Sequence, residues 1–425
     1  MYYMAENKKL ILALFVLFLI VSGKATGEQD AMDVIQADQI HAMIIKGVPV
    51  DFSNVIVEGK LDLSIQDRNN SGYANSSIKI RDSLFSDVVD LNKVIFRNSV
   101  SFEGTSFLGP ANFLQTRFEK GADFAESRFN NVSFKDAQLF GSCEFRTAEF
   151  NGLANFIGTS FSDGTANFEG ARFYGPAHFW SAYFDVDGTN FGWSQFNGPL
   201  SFWDADFIGE SSFKGAKFNQ TADFTLAQFN GPADLIGSRF AKELYFKDVK
   251  FSILKVNWES LKDKLVCDGP AYLSLIKNFK DQEQFEDADN CYYQYRDWKR
   301  QDRSWGWAKV FDYLALISCG YGVRWQNTLL TGIGVMVLFG IYFSLKGGIL
   351  DSKEAGRLQK LKEAIFFSLT LLLSAPTDWY VNLFGNDKYK DIVTANKYSI
   401  FLERVIGWSL LILLVNTLSR VMIRY

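Results

Sequence analysis

Large apolar residues, mostly phenylalanine, recur at every fifth or sixth position through the middle of the chain. The series comprises Phe102, Phe107, Phe113, Phe118, Phe124, Phe129, Phe134, Leu139, Phe145, Phe150, Phe156 and Phe161. It resumes at Phe168, and continues to Phe251. Two seven-residue gaps, Phe161–Phe168 and Phe184–Phe191, contain Gly164 and Gly188 and are typical of bulges or corner insertions. The spacing matches neither a helix nor a plain strand, so it predicts neither one long helix nor a β-meander.

A small residue often stands two positions before the large one, as in Ala111-Asn112-Phe113 and Ala222-Asp223-Phe224. Positions two apart share one face of an extended segment, so Ala and Phe point inward and Asn or Asp points outward. Four sides of five, six, five and six residues make one coil of 22 residues. Rings of successive coils are then expected to stack about 4.8 Å apart, and Phe102 to Phe251 predicts about seven coils.

This pattern resembles the pentapeptide-repeat family, whose unit is A-(D/N)-L-x-x, over residues 55–254. The resemblance implies a β-solenoid, folded as a right-handed quadrilateral β-helix. The chain departs from the family unit because Phe replaces Leu at most central positions and every second side carries an extra residue. A larger central side chain requires a slightly wider coil, so the two departures agree with each other.

Helical segments are expected on both sides of this solenoid, because solenoids need capped ends. In residues 28–54, Asp33–Lys46 is predicted as a capping helix, with Asp33 and Gln36 at capping-box spacing. Residues 255–304 are predicted as a helical connector, with one helix over Ala271–Arg303. Inside it, Cys267 and Cys291 are candidates for a disulfide outside the cell or for two free thiols.

The N-terminal residues 1–27 have the pattern of an export signal. Lys8 and Lys9 precede the apolar run Leu10–Val21, and small residues follow it. The run is short for a bilayer crossing, which needs about 20 residues. An uncleaved anchor is the alternative, and either interpretation places the solenoid outside the cytoplasm.

Three further apolar stretches lie in residues 305–425. Thr328–Leu345 and Val405–Ile423 are long enough to span a bilayer. Between them, Ala364–Ala375 has 12 residues, a length typical of a re-entrant segment. Lys309–Cys319, ahead of the first span, is predicted as an interfacial amphipathic helix.

This order resembles the two-span pore module of potassium-channel-like proteins, and it implies an oligomeric, α-helical two-span transmembrane pore-like domain, with four subunits expected. Phe366–Thr370 stands at the position of the pore helix. The selectivity motif TVGYG is absent, because Leu372–Asp378 has no glycine and Pro376 has a fixed φ angle. Potassium selectivity is therefore not implied. The pore candidates are Thr370, Ser374, Ala375, Pro376, Thr377 and Asp378, with Gly407, Asn416 and Thr417 on the pore-lining helix.

Several of these residues have a second interpretation. A ring of Asp378 carboxylates would favour cations, but Asp378 is equally consistent with an ordinary loop carboxylate. Asn416 and Thr417 face either a pore or a neighbouring helix. Orientation is also contested, because Arg296, Lys299, Arg300, Arg303 and Lys309 precede the first span and basic residues favour the cytoplasmic side. We follow the signal, because long translocated domains largely escape the charge rule.

Composition narrows the function further. The net charge is -4, which gives no electrostatic footprint for nucleic acid. Two His and four Cys without a C-x-x-C pair leave no pattern for a metal site, and no cofactor is expected. The sequence shows neither a nucleophile with a neighbouring base nor a phosphate-binding glycine loop, so it does not indicate an enzyme.

The leading hypothesis is a cell-membrane protein with an extracytoplasmic solenoid and a cation pore. Its expected partners are the lipid bilayer, further copies of the chain, small cations and an unidentified molecule at the solenoid. A membrane-anchored interaction or structural protein is the alternative. Some pentapeptide-repeat proteins are DNA mimics that bind gyrase, but residues 55–250 carry 18 basic and 24 acidic residues, a charge too mild for mimicry.

Overall fold

The computed structural model describes residues 32–64, 72–346, 356–373 and 396–422. The signal-like segment and the candidates Ser374, Ala375, Pro376, Thr377 and Asp378 lie outside the described residues. A β-solenoid of about ten coils occupies the first part of the chain, and helices follow it. The sequence predicts seven coils for Phe102–Phe251, and the additional coils lie mainly upstream within the predicted range 55–254, where Val, Ile and Leu line most of the interior.

Four parallel sheets form the four sides of the solenoid, and the chain visits sheets 1, 2, 3 and 4 in turn. Sheet 1 contains Val50–Ser53, Ile78–Arg81, Val100–Ser101, Ala122–Asp123, Cys143–Glu144, Thr165–Asn167, Gly188–Asn190, Glu210–Ser212, Ala233–Asp234 and Leu254–Lys255. Sheet 2 contains Asp33–Gln36, Val55–Glu58, Leu84–Phe85, Ser106–Phe107, Arg128–Phe129, Glu149–Phe150, Arg172–Phe173, Gln195–Phe196, Lys217–Phe218 and Arg239–Phe240.

Sheets 3 and 4 complete each coil. Sheet 3 contains Leu61–Asp62, Val89–Asp90, Ala111–Asn112, Val132–Ser133, Ala154–Asn155, Ala177–His178, Leu200–Ser201, Ala222–Asp223, Leu244–Tyr245 and Leu265–Val266. Sheet 4 contains Tyr73–Ala74, Ile95–Phe96, Arg117–Phe118, Gln138–Phe140, Ser160–Ser162, Tyr183–Asp185, Asp206–Phe207, Gln228–Phe229 and Lys250–Phe251. The two longer gaps fall at the corner between sheets 4 and 1, where the adjoining strands have three residues.

Phenylalanine rings fill the interior, as predicted. Phe156 is fully buried, and its ring stacks on Phe134 at 5.0 Å and on Phe179 at 4.7 Å. Rings of sheet 1 meet those of sheet 3 edge to face, as Phe145 does with Phe156 at 5.6 Å. Both geometries are favoured for aromatic pairs, so the contacts between the rings stabilise the solenoid beyond the effect of burying apolar area.

The Asn and Asp residues before the central Phe have a turn-forming role. Asn112 Oδ1 accepts a hydrogen bond from Leu114 N at 3.1 Å, and Asp223 Oδ1 accepts one from Thr225 N at 2.9 Å. This contact with the backbone two residues ahead is the Asx-turn that short polar side chains make. Ser101 and Ser201 accept the same kind of bond through their hydroxyls, so short polar residues favour the turns after sheets 1 and 3.

Both ends of the solenoid are covered. At the start, Asp33–Gln36 is a strand paired with Val55–Glu58, and the helix α1 covers only Ala37–Ile45. The predicted capping box is therefore wrong, and no side chain caps α1, whose N-cap residue is Gln36. Ile40 and Ile44 of α1 are buried against the first coil, whereas Val34 is exposed.

At the other end, the helices α2 (Trp258–Leu261), α3 (Gly269–Asp281) and α4 (Phe285–Asp302) cover the last coil. Asn278 of α3 bonds both backbone groups of Leu254, the N–H at 3.0 Å and the C=O at 2.8 Å, so it closes the open edge of sheet 1. The single helix predicted over Ala271–Arg303 is wrong, because α3 and α4 are separated at Glu283, which has a φ of 60°.

In the described residues from Trp307 onward, the C-terminal helical region contains α5 (Trp307–Cys319), α6 (Trp325–Lys346), α7 (Arg357–Leu372) and α8 (Lys397–Met422). A 3-10 turn, Gly320–Gly322, joins α5 to α6. The helices α6 and α8 have the length and composition of membrane-spanning helices.

Replacing Phe156 with Ala tests the aromatic column. The variant removes a ring stacked on both sides, and we expect the free energy of unfolding to fall by about 3–5 kcal/mol. Guanidinium unfolding of the full chain in detergent measures the change. The control Leu153→Ala alters a half-exposed side chain of the same coil and is expected to cost less than about 1 kcal/mol. Equal losses in the two variants would contradict a solenoid held by its rings.

Candidate functional site

Two glycines let α7 pack closely between the long helices α6 and α8. A Cβ atom on Gly340 of α6 would lie 2.7 Å from Ile365 Cγ1, and one on Gly407 of α8 would lie 2.1 Å from the Leu372 carbonyl oxygen. Neither position has room for a larger residue. Small residues at helix contacts are typical of membrane helices, because they allow backbones to approach.

Apolar side chains complete this contact. Phe343 of α6, Ala364, Phe367 and Leu371 of α7, and Ile400 of α8 form one buried cluster. The rings of Phe343 and Phe367 meet edge to face at 5.3 Å. The helix α7 is thus held on two sides over its second half.

The contacts fix the direction of α7 and how far it reaches. Along α6 the partners run backwards, with Ile365 beside Gly340 and Leu372 beside Gly332, so these two helices are antiparallel. Along α8 they run forwards, from Ser368 beside Glu403 to Leu372 beside Gly407, so these two are parallel. Because α8 extends from residue 397 to 422, Gly407 lies near its middle, and α7 ends there.

The chain returns to the level at which α7 began. Ser399, in the first turn of α8, bonds the hydroxyl of Tyr342 at 3.1 Å, and Tyr342 is in the last turns of α6. Leu373 and Asn396, which flank the segment 374–395, therefore lie at different heights along α8. Leu373 is near the middle of α8, and Asn396 is at its start. The start of α7 and the start of α8 therefore lie at the same end of this helix group, together with the end of α6. This end is distant from the solenoid.

One polar contact lies within this apolar packing. Ser368 Oγ of α7 donates a hydrogen bond to Glu403 Oε1 of α8, and both residues are fully buried. The second carboxyl oxygen, Oε2, has no hydrogen-bond partner in the part of the chain that the structure describes. A buried ionisable group in an apolar helix is a candidate functional residue.

The structure places two of the predicted pore residues, Thr370 and Gly407, in this region and two, Asn416 and Thr417, farther along α8. Thr370 is buried and its hydroxyl donates to the Phe367 carbonyl at 2.7 Å, within α7. Gly407 makes the close contact with Leu372. Asn416 is exposed, whereas Thr417 is buried and donates to the Leu413 carbonyl at 2.9 Å. The role of these residues in a pore stays a prediction.

Reasoning from sequence placed Ser368 within the predicted pore helix but missed its contact with Glu403, and it missed Gly340. Glu403 carried a signal, because it is the acidic residue of a largely apolar helix whose basic residues are Lys397, Arg404 and Arg420. The contacts of Gly340 and Ser368 carried no signal, because their partners are 25 and 35 residues away in sequence.

Cys267 and Cys291 are free thiols in the structure, which is the second of the two interpretations that the sequence left open. Cys291 is fully buried, with its Sγ 3.9 Å from the Tyr272 carbonyl oxygen. Burial raises the pKa of Cys267 to about 12 and raises the pKa of Cys291 as well. Both sulfurs are therefore protonated near neutral pH, which makes them weak nucleophiles.

Polar contacts join α4 at the end of the solenoid to the C-terminal helical region. Asp289 of α4 pairs with Arg420 near the end of α8 at 2.8 Å, and Asn290 accepts a hydrogen bond from Arg324, just before α6, at 2.6 Å. Asp312 of α5 pairs with Arg296 and Arg303 at 3.0 and 2.7 Å. The solenoid cap thus contacts the same end of α6 and α8.

Comparison with known proteins identifies the solenoid repeats. Residues 91–138, 134–182 and 202–250 match the family described as pentapeptide repeats (9 copies). Residues 91–250 therefore carry these repeats, in agreement with the resemblance seen in the sequence. No family match supports the potassium-channel-like module. No curated protein and no solved structure matches the chain.

The glycine contacts predict unequal effects of the same substitution. Gly407→Ala places a methyl group against the Leu372 carbonyl, and we expect it to loosen α7 and destabilise the chain by about 1–3 kcal/mol. Gly334→Ala on α6 is the matched control, because a Cβ there meets nothing within 4 Å. Thermal unfolding in detergent measures both, and a control variant as unstable as Gly407→Ala would contradict the contact.

Proposed function

We propose that the protein is an oligomeric membrane protein in which α6, α7 and α8 form a cation-conducting pore module, joined to an extracytoplasmic solenoid that acts as a sensor or scaffold. One observation carries this proposal. The helix α7 reaches about the middle of α8 between two long apolar helices, and the chain then returns to the end from which it entered. A pore helix and its loop have this course.

Exposed apolar surface supports insertion in a bilayer. Large apolar side chains of α6 and α8 face outward, at positions Leu329, Leu330, Ile333, Val337, Leu338, Ile341, Leu345, Phe401, Leu402, Val405, Trp408, Ile412 and Val415. A patch of this extent is not typical of a soluble monomer. Lipid or further copies of the chain would cover it.

The helix α5 adds an interfacial element. Its exposed apolar residues Trp307, Val310, Phe311, Leu314 and Ile317 recur at helical spacing and form one face, while Asp312 on another face is buried. A short amphipathic helix directly before a span is expected to lie in the membrane surface. The helix predicted over Lys309–Cys319 is present and begins two residues earlier, and its place at the membrane surface is part of this proposal.

Basic residues flank both ends of the first span, so the charge rule alone does not choose an orientation. Arg296, Lys299, Arg300, Arg303 and Lys309 lie on the solenoid side, and Lys346, Lys353, Arg357, Lys360 and Lys362 lie on the other side. The proposed orientation, with the solenoid outside, follows the export-signal pattern of residues 1–27. The helix α7 then begins on the cytoplasmic side, the arrangement of the inverted pores of ionotropic glutamate receptors.

The pore residues under this proposal are the polar groups after α7. Ser374, Thr377 and Asp378 follow the helix directly, and four copies of Asp378 would present a ring of carboxylates to an entering cation. Potassium selectivity is not proposed, because the chain has no TVGYG motif.

A second candidate is a membrane-anchored interaction protein without conduction. Trp180 and Trp203 occupy equivalent positions after sheet 3 in successive coils, and each is 42% exposed. In the next coil the equivalent position is Thr225, and the residue after it, Leu226, is 39% exposed. These side chains place exposed apolar surface along one corner of the solenoid. Exposed aromatic residues in a row are typical of binding surfaces, so the solenoid side has a partner under either proposal.

Reconstitution in planar bilayers tests conduction. We expect unitary cation currents, and Asp378→Asn is expected to lower their amplitude roughly twofold or more, because it removes the carboxylate ring. Asp391→Asn is the control, since it removes the same charge from the same connecting segment. Silent bilayers that contain an intact oligomer would overturn the pore and favour the anchored interaction protein.

A further inference from the structure

Glu403 lies in the middle of the contact between α7 and α8. On α8, Ile400 and Gly407 are on the same face as Glu403, three positions before and four after it. Both of these residues contact α7 or the buried cluster around it. Glu403 is therefore buried within this contact, and its exposed fraction is 0%.

Its polar surroundings are sparse. Ser368 Oγ supplies one hydrogen bond to Oε1, and Oε2 has no partner among the described residues. The titratable side chains in the last turns of α6 are Tyr342, whose hydroxyl bonds Ser399, and Lys346. On α8, Arg404 follows Glu403 directly, but adjacent helical residues do not face each other. The acidic and basic residues of α7, from Arg357 to Glu363, lie at least five residues before Ser368.

An ionised carboxylate would be unfavourable in this setting. Burying a charge is costly unless it is paired and hydrogen-bonded, and Glu403 has one hydrogen bond and no ion pair within the described part of the chain. A neutral carboxylic acid retains the bond from Ser368 and carries no charge. A bound metal ion would need several oxygen ligands, and no group of acidic, His or Cys residues among the described positions is arranged to supply them.

We propose that Glu403 is a proton-binding site within the membrane-spanning part of the protein, and that the bound proton keeps α7 docked on α8. Release of the proton to water leaves a buried carboxylate in the contact between α7 and α8 and weakens this contact. The proposal deepens the proposed function, because α7 is the helix that the proposed function takes as the pore helix. It rests on membrane insertion and does not require that the protein conducts ions.

The site can be probed with dicyclohexylcarbodiimide, which enters bilayers. The carboxyl oxygen bonds to the central carbon of the reagent while the acid proton moves to a nitrogen. An oxygen-to-nitrogen acyl shift then gives a stable N-acylurea, and no other reactant is consumed. Mass spectrometry of the full chain in liposomes locates the adduct.

We expect labelling of Glu403 at acidic pH and a decrease of about tenfold per pH unit once the proton is lost. Glu403→Gln should abolish the adduct with little change in shape. Glu363→Gln is the matched control on α7 and should leave the Glu403 adduct unchanged. Hydrogen exchange of the α7 amides, corrected for the intrinsic effect of pH, should rise with pH in the wild type and stay constant in Glu403→Gln.

Three results would overturn the inference. Labelling of Glu403 that does not depend on pH would show that its carboxyl group does not bind and release a proton in this range. Protection from labelling by sodium or potassium ions at fixed pH would make Glu403 a cation site. Equal responses of α7 amide hydrogen exchange to pH in the wild type and in Glu403→Gln would show that the proton on Glu403 does not control the docking of α7. Extraction of the chain from vesicles by alkali would overturn the proposed function too, whereas silent bilayers with pH-dependent labelling would overturn conduction alone.

Discussion

Stacking of one apolar ring upon the next, at the spacing of β-strands, is the interaction on which the solenoid depends. Each coil must return to the same place after about 22 residues, because Phe134, Phe156 and Phe179 can stack only if their strands are in register. The sheets then follow from the rings, since every strand finds a parallel partner in the next coil. The two corner insertions at Gly164 and Gly188 are tolerated because they occur in consecutive coils and pair with each other.

The solenoid was predictable from sequence because its signal repeats, whereas its ends were not. A period of five and six residues identifies the inward positions without any knowledge of contacts. The strand Asp33–Gln36 was mistaken for helix because its four residues have a capping-box pattern, and only pairing with Val55–Glu58 decides their conformation. The break between α3 and α4 was missed because Glu283 adopts a positive φ without the glycine that usually marks such a turn.

The helical region shows the same limit in another form. Length and apolar composition located α6 and α8, and the shorter apolar stretch located α7, although α7 begins seven residues earlier than that stretch. The pairs that hold these helices together could not be read from sequence, because Gly340 with Ile365 and Ser368 with Glu403 are distant along the chain. A glycine within an apolar helix does not reveal which backbone it meets, and a buried glutamate does not reveal its donor.

The two halves of the molecule meet at one end of α6 and α8, and α7 docks from the other end. Asp289 and Asn290 of the solenoid cap contact Arg420 and Arg324, which lie at the solenoid-proximal end of α8 and α6. A parallel-sheet rod with a packed interior is stiff, so a displacement of the solenoid would move these two helix ends together. The contacts at Gly340, Gly407 and Glu403 lie farther along the same helices, and a tilt of either helix changes its distance from α7 there. The solenoid and the proton on Glu403 would then act on the same contact, that of α7 with the long helices. The solenoid would act through the tilt of α6 and α8, and the proton would act through the charge of the Glu403 carboxyl group.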